Sequence, residues 1–199
     1  MPAGRSWLLK EILGRWGSVA EHHLPEAYPR ELEEGFEGRD GRRARVRPIR
    51  PEDVPLLREG FRSLSPLTIY RRFHAQLDHL SDEACRYLTH VDYRAHLALV
   101  ALDEASGRMV GVARYYLPAG AELAEAAVVI TDAWQGQGLG SFLLRRLSVA
   151  AEARGVAGFE AFIQPDNLPM RRMVERSGYL LHGSEAPDAV HVWFRFAEL

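Results

Sequence analysis

The fold is decided by the stretch Val128-Val129-Ile130-Thr131-Asp132-Ala133-Trp134-Gln135-Gly136-Gln137-Gly138-Leu139-Gly140-Ser141. It passes from an apolar strand through a short polar turn into glycines that open a long helix. Glycine lets a backbone approach a ligand closely, and the first turn of a helix presents unpaired N–H groups and a partial positive charge. The stretch therefore predicts an anion-binding site, and a diphosphate is the ligand that suits it.

Two other interpretations of the glycine-rich turn stay open at this point. A dinucleotide-binding turn requires Gly-x-Gly-x-x-Gly/Ala, whereas Ser141 occupies the last position of that pattern here. Glu160 nevertheless stands near the spacing of the acid that such folds place on the next strand. A turn without a ligand is the other alternative, although Gly136, Gly138 and Gly140 together are a costly way to build one.

The segments around this turn alternate between strand and helix patterns. Apolar side chains of residues 139–154 fall on one helical face, and Gly155 follows as a stop signal. Strands are predicted at 45–49, 96–102, 109–117, 123–130, 159–163, 179–182 and 190–196, and helices at 51–61, 66–73, 81–89, 139–154 and 168–176. This order is typical of a mixed α/β domain.

The N-terminal part of the chain has a different composition. Residues 5–20 place apolar side chains on one helical stripe, and residues 25–41 are polar and punctuated by Pro and Gly, as linkers are. We therefore expect a helical extension and linker over residues 1–40 and one main domain over residues 41–199.

Composition narrows the classes of function. A chain of 199 residues that is 47% hydrophobic can bury the core of one domain. Its formal net charge of -2 argues against nucleic acid or a membrane surface as a principal partner. Lys10 is the only lysine, which excludes a Walker-type phosphate loop and leaves no Schiff-base lysine in the main domain.

Cysteine and histidine usage narrows the classes further. Cys85 is the only cysteine, which excludes an intramolecular disulfide and a thiolate metal cluster and predicts a buried structural thiol. The histidine pairs at 22–23 and at 182 and 191 lack the spacing of metal ligands, so no metal is expected. The apolar residues 7–9 are interrupted at once by charged ones, which does not predict a signal peptide or membrane span. We expect a cytoplasmic protein.

The motif Gln135-x-x-Gly138-x-Gly140 resembles the coenzyme A motif Gln/Arg-x-x-Gly-x-Gly/Ala of the GNAT acetyltransferases. The resemblance covers about residues 43–185. Other matching positions are Asn167, Met170, Met173, Gly178 and Tyr179, and the piece Arg47-Pro48-Ile49-Arg50-Pro51-Glu52-Asp53. Two further pieces resemble the protein-lysine acetyltransferase branch, namely Leu64-Ser65-Pro66-x-x-x-Tyr70-x-Arg72-Phe73 and Gly111-Val112-Ala113-Arg114-Tyr115.

The resemblance implies the GNAT fold, of the α/β (α+β) class. This is a twisted, mixed, mostly antiparallel sheet of about seven strands, flanked by helices, whose central strands splay apart. Acetyl-CoA would lie in that gap as co-substrate, with its pyrophosphate on the glycine turn. The cofactor residues implied are Val128, Val129, Ile130, Gln135, Gly136, Gln137, Gly138, Leu139, Gly140, Ser141, Asn167 and Met170.

Amine acylation needs a base for the incoming ammonium, whose pKa lies near about 10.4, and donors for the developing oxyanion. Glu125 matches the glutamate that the lysine-acetylating branch uses as general base, and Glu122 is the alternative. Glu125 shares a strand face with Ala127 and Val129. On such an apolar face the pKa of an acid should be raised, as a base requires. Backbone amides around Val129 and Ile130 are the candidates for the oxyanion.

The position at which many members of the family carry an acidic tyrosine is Val174 here. A thiolate whose pKa is about 8.5 can leave with little help from an acid, so the sequence still predicts an enzyme. Three functions stay open: a protein-lysine acetyltransferase, a GNAT enzyme for a small amine or a protein N-terminus, and an acyl-CoA-binding sensor without turnover. The branch-specific motifs favour the first. The oligomeric state is open.

Overall fold

The computed structural model describes residues 28–185 and 189–198. The helix predicted at residues 5–20 lies outside them. The helices are α1 (Val54–Arg62), α2 (Pro66–Phe73), α3 (Asp82–Thr89), α4 (Leu139–Glu152) and α5 (Leu168–Glu175). The strands are β1 (Glu34–Glu37), β2 (Arg43–Pro48), β3 (His96–Asp103), β4 (Met109–Tyr116), β5 (Leu123–Ile130), β6 (Gly158–Ile163), β7 (His182–Glu185) and β8 (Val190–Arg195). The predicted fold class is confirmed.

All eight strands belong to one sheet, in the order β1-β2-β3-β4-β5-β6-β8-β7. Neighbouring strands are antiparallel except β5 and β6, which are parallel. In this pair, residues Leu123–Glu125 of β5 are in register with Gly158–Glu160 of β6, and the pairing ends there. Strand β4, in contrast, pairs with β5 as far as Ile130. The predicted splay in the middle of the sheet is therefore confirmed.

Helices cover both faces of the sheet. Helices α1 to α3 pack on what we call the front face, which carries Arg114 of β4 and Ala127 of β5. Helix α4 packs on the back face, where its Leu139 and Leu143 side chains lie against Gly111 of β4. Because side chains alternate along a strand, Glu125 shares the front face with Ala127.

The predicted structural thiol is confirmed within this core. Cys85 lies on α3 and is fully buried. Helix α3 begins after Ser81, whose hydroxyl accepts a hydrogen bond from the N–H of Ala84 at 3.0 Å, and α2 begins in the same way at Ser65. These serine caps satisfy N–H groups that the helices leave unpaired.

Two predicted segments differ in the structure. The linker prediction for residues 25–41 is wrong over β1, which pairs with β2 as an edge strand and brings the count to eight strands instead of about seven. The strand predicted at 179–182 lies at His182–Glu185 instead. Both strands are polar and exposed, so pairing with a neighbour rather than an alternating apolar pattern defines them.

Candidate active site

The splay between β5 and β6 opens a cleft with a volume of about 380 Å³. Residues 125–130 of β5 form one wall, and residues 159–163 of β6 form the other. The start of α4 closes one end, and α5 lies alongside. Beyond Glu125 the backbone of β5 pairs with no described strand on the β6 side. Its polar groups on that side are available to a ligand in the cleft, apart from the carbonyl of Ile130, which accepts a hydrogen bond from Gln135.

The glycine-rich turn, for which the sequence predicts anion binding, leaves its backbone N–H groups unpaired within the described part of the chain. None of the backbone N–H groups from Gly136 to Ser141 donates a hydrogen bond to another described residue. Gly136 and Gly138 have φ angles of 75° and 89°, a region in which other residues are strained. The turn therefore presents free donors at a helix N-terminus, and phosphate oxygens are the acceptors that suit them.

Gly140 serves a different purpose in the same turn. A Cβ atom at this position would lie 3.0 Å from the sulfur of Met173, on the neighbouring helix α5. The absence of a side chain therefore lets the first turn of α4 approach α5 closely. Asn167, whose side chain accepts a hydrogen bond from the N–H of Met170 at 3.3 Å, caps α5. Gly140 and Asn167 both line the cleft.

The hairpin of β1 and β2 supports the glycine-rich turn from outside. The guanidinium of Arg42 donates to the carbonyl of Ala133 at 2.7 Å and lies 4.4 Å from the ring centre of Trp134. The side-chain oxygen of Gln137 accepts from the N–H of Asp40 at 3.2 Å. Asp40, which the sequence assigns to a linker, and Arg42, at the start of the main domain, therefore hold the loop in place.

Asp132 joins the same turn to α2. Its carboxylate accepts hydrogen bonds from the hydroxyl groups of Ser65 and Thr68 at 2.8 and 3.0 Å, and from the N–H of Ser65 at 3.0 Å. Burial acts to raise the pKa of Asp132, but these hydrogen bonds outweigh it and hold the pKa below its ordinary value. The side-chain amide of Gln135 donates to the carbonyl of Ile130 at 3.1 Å and completes the turn.

Five arginines that the sequence did not assign to the cofactor line the cleft. They are Arg39, Arg71, Arg72, Arg172 and Arg176. Arg71 also bridges the two sides, because its guanidinium contacts the carboxylate of Asp166 at 3.3 Å. Arg172 and Arg176 share a helical face at a spacing of four, which the sequence could have revealed. Arg39 comes from the β1–β2 hairpin, and no pattern in the sequence around it predicts that it lines the cleft.

Glu125 lies where β5 and β6 part, with 4% of its surface exposed, and it lines the cleft. Arg72 of α2 lines the cleft beside it. Burial lowers the pKa of Arg72 to about 10, while the negative charge of Glu125 acts to raise it. Burial and the nearby Arg72 cation likewise lower the pKa of Arg114, behind them on the front face, to about 9. The wall of the cleft at this point therefore contains a buried carboxylate close to the guanidinium group of Arg72.

Other predicted site residues lie apart from the cleft. Glu122 forms an ion pair with Arg195 at 2.7 Å and does not line the cleft. The side chain of Leu139 is buried in the core and that of Gln137 contacts the hairpin, so only their backbone amides remain for a ligand. Val174 does line the cleft and is buried.

Tyr179, one of the positions that match the family, lies in the core rather than in the cleft. Its ring stacks on Phe194 with ring centres 4.5 Å apart. The described residues contain no cluster of side chains that could hold a metal ion. Within the same residues, no helix has the length and apolar character of a membrane span.

The splayed parallel strand pair beside a glycine-rich helix start is the arrangement that the resemblance to the GNAT acetyltransferases implies. The profile of the acetyltransferase (GNAT) family matches residues 63–179. This match covers more than half of the chain, and the protein belongs to the GNAT acetyltransferase family.

Two related proteins are also described as acetyltransferases. The chain is 36% identical over 134 residues to Acetyltransferase Pat of Mycolicibacterium smegmatis, which is 67% of this chain and 40% of that protein. It is 33% identical over 151 residues to Acetyltransferase PA5475 of Pseudomonas aeruginosa, which is 75% of this chain and 80% of that protein. The chain therefore spans less than half the length of the Pat relative.

Solved structures agree with the assignment of the fold. The GNAT domain of S. lividans PAT superposes with a TM-score of 0.79 at 31% sequence identity, covering 85% of this chain and all of that one. A more distant structure, yncA of Salmonella typhimurium with its cofactor acetyl-CoA, has a TM-score of 0.58 at 18% identity and covers 76% of this chain and 91% of its own. The latter likeness concerns the fold alone.

Proposed function

We propose that this GNAT acetyltransferase moves the acetyl group of acetyl-CoA to the side chain of a protein lysine, with Glu125 as the general base. The observation that carries the proposal is the position of Glu125, buried in the wall of the cleft at the point where the two strands part. A carboxylate there can take a proton from an ammonium group that enters the front of the cleft.

The residues of the cleft fit acetyl-CoA as the acyl donor. The unpaired amides from Gly136 to Ser141 suit its pyrophosphate, and the arginines along the cleft suit the negative charge of its phosphates. The unpaired edge of Val128–Ile130 suits an extended amide-bearing chain. When bound, acetyl-CoA supplies an activated thioester, which is the source of the acetyl group.

Among the described residues that line the cleft there is neither a tyrosine nor a cysteine that could serve as the acid. Val174 occupies the position of the family's usual tyrosine and leaves that part of the wall apolar. A leaving thiolate with a pKa of about 8.5 does not require protonation to depart. The proposal therefore needs one acid–base residue, Glu125, rather than a pair.

The test of the base is Glu125→Gln, with Glu122→Gln, an exposed glutamate just before the same strand, as the control. Initial rates of coenzyme A release and acetyl-CoA binding by calorimetry are both measured. We expect E125Q to bind acetyl-CoA normally and to lose about 100-fold or more in kcat, the usual size of a general-base contribution. E122Q should keep its activity, because Glu122 lies outside the cleft. An E125Q enzyme with wild-type kcat would remove Glu125 from the mechanism.

The acceptor is tested separately, because a small amine would use the same cofactor residues. Lysine-containing peptides, the same peptides with free N-termini but no lysine, and a set of small primary amines are compared at equal concentration. Acetylation of lysine side chains at the highest kcat/KM supports the proposal. Preference for a small amine or an N-terminus, or binding of acetyl-CoA without any turnover, would replace it.

A further inference from the structure

A row of side chains crosses the front face from Glu125 to the edge of the sheet. Glu125 of β5 is in register with Glu160 of β6, Glu160 with Trp193 of β8, and Trp193 with His182 of β7. Residues in register on neighbouring strands lie on one face with their Cβ atoms close together. The row therefore begins at the proposed general base and leads away from the cleft.

Aromatic rings form a continuous surface along this row, which we call the ring platform (Phe162, His182, His191 and Trp193). The rings of Phe162 and His191 stack at 4.5 Å with an angle of 8° between their planes. Trp193 lies 5.0 Å from His191 and 5.8 Å from His182, with the latter pair also stacked. All four rings are partly exposed, and Phe162 lines the cleft.

Two carboxylates accompany the ring platform. Glu160 contacts the imidazole of His191 at 2.9 Å, and Glu198 contacts that of His182 at 3.1 Å. Arginine guanidinium groups lie over aromatic rings elsewhere in the described residues, but none lies over a ring of the platform.

We propose that the ring platform binds an extended, basic segment of the acceptor protein on either side of the lysine to be acetylated. The proposal rests on the proposed function and adds to it the kind of sequence that the enzyme selects. Aromatic faces and carboxylates together attract guanidinium and ammonium groups, and the row joins them directly to Glu125.

The dimensions of the sheet set where the basic residue should be. Three steps between neighbouring strands separate Glu125 from His182, which is about 14 Å at the usual strand spacing. An extended peptide advances about 3.3 Å per residue, so four residues cover that distance. An arginine within about four positions of the acceptor lysine should therefore reach the ring platform.

The experiment uses peptides with one central lysine, flanked at a single position from one to six residues away by arginine, glutamine or glutamate. Initial rates give KM and kcat for the wild type, Trp193→Ala, His182→Ala, Glu160→Gln and the control Val149→Ala, an exposed residue on α4. We expect arginine within four positions to lower KM about tenfold relative to glutamate, which lies between the contributions of an exposed and a desolvated cation–π contact. W193A and E160Q should abolish that preference. W193A, whose side chain lies outside the cleft, should leave kcat within about twofold and acetyl-CoA binding unchanged.

Several outcomes would overturn the proposal. One is a KM that is independent of the flanking residue, and another is a preference for arginine that survives in W193A, H182A and E160Q alike. Dimerisation of the wild type that W193A abolishes in sedimentation experiments would assign the surface to a second copy of the chain instead. H182A changes only an exposed residue at the sheet edge, so it keeps the test valid if W193A fails to fold.

Peptide binding without turnover separates this proposal from the proposed function. Fluorescence anisotropy of a labelled arginine-flanked peptide is measured in the absence of acetyl-CoA. Binding that W193A and H182A weaken supports the ring platform even if no peptide is acetylated. Absence of binding by the wild type, or equal binding of the glutamate-flanked peptide, overturns it even if lysine acetylation is found.

Discussion

Gly138→Ala is the substitution that best separates the strain of the glycine-rich turn from its role in binding. Gly138 has a φ angle of 89° and stands immediately before α4. An added Cβ would meet no atom within 4 Å, so the substitution causes no steric clash. Its cost is therefore backbone strain alone, about 1–2 kcal/mol for a residue other than glycine in this region. For a protein of this size that corresponds to a fall in Tm of about 2–8 °C.

Gly120→Ala is the matched control for this strain. Gly120 lies in the loop between β4 and β5, has a φ angle of 79°, and likewise has no atom within 4 Å of an added Cβ. We expect G120A and G138A to lose similar stability in thermal unfolding. Only G138A should lose affinity for acetyl-CoA, because relief of its strain turns the following N–H groups away from the phosphate site.

The size of the loss in affinity follows from the number of amides displaced. One hydrogen bond to a charged group contributes about 1.5–3 kcal/mol, so the loss of one such contact raises Kd roughly 10- to 150-fold. Calorimetric titration of the two variants with acetyl-CoA measures it. If G138A and G120A are equally destabilised and both bind acetyl-CoA as the wild type does, the assignment of the pyrophosphate to these amides is wrong.

Two further predictions concern stability. Asp132→Asn should be less stable than the wild type at pH 7, because hydrogen bonds lower the pKa of Asp132 in the native state. The contribution of the carboxylate to stability is present above the ordinary carboxyl pKa and is lost as the pH falls. In urea unfolding the free energies of the two proteins should therefore converge below about pH 4. Arg47→Met breaks a buried two-bond ion pair with Asp53, with both contacts at 2.6 Å, and should cost about 3–5 kcal/mol of unfolding free energy. Arg45→Gln, at an exposed position of the same strand, should cost at most about 1 kcal/mol, and equal losses of unfolding free energy in the two variants would refute the distinction between buried and exposed ion pairs.

Properties of residues close together in the sequence determined a large part of the secondary structure of this protein. The glycine-rich turn and the helix after it are recognisable in the sequence, because φ angles above zero, helix caps and apolar periodicity are properties of neighbouring residues. For the same reason β5 begins and ends at the predicted residues, and α2 does as well. The alternation of side chains along β5 is also a local property, and it is enough to predict that Glu125 and Ala127 share one face.

Tertiary structure alone decided which residues meet around that turn. Strand β1 has no apolar alternation and exists because β2 offers it an edge, and the same hairpin carries Arg39 to the cleft. The neighbours of Glu125 come from α2 and β6, which are far from it in sequence, so no local pattern announces them. A strand's period of two determines which side a residue faces, but the packing of the whole sheet determines what it meets there.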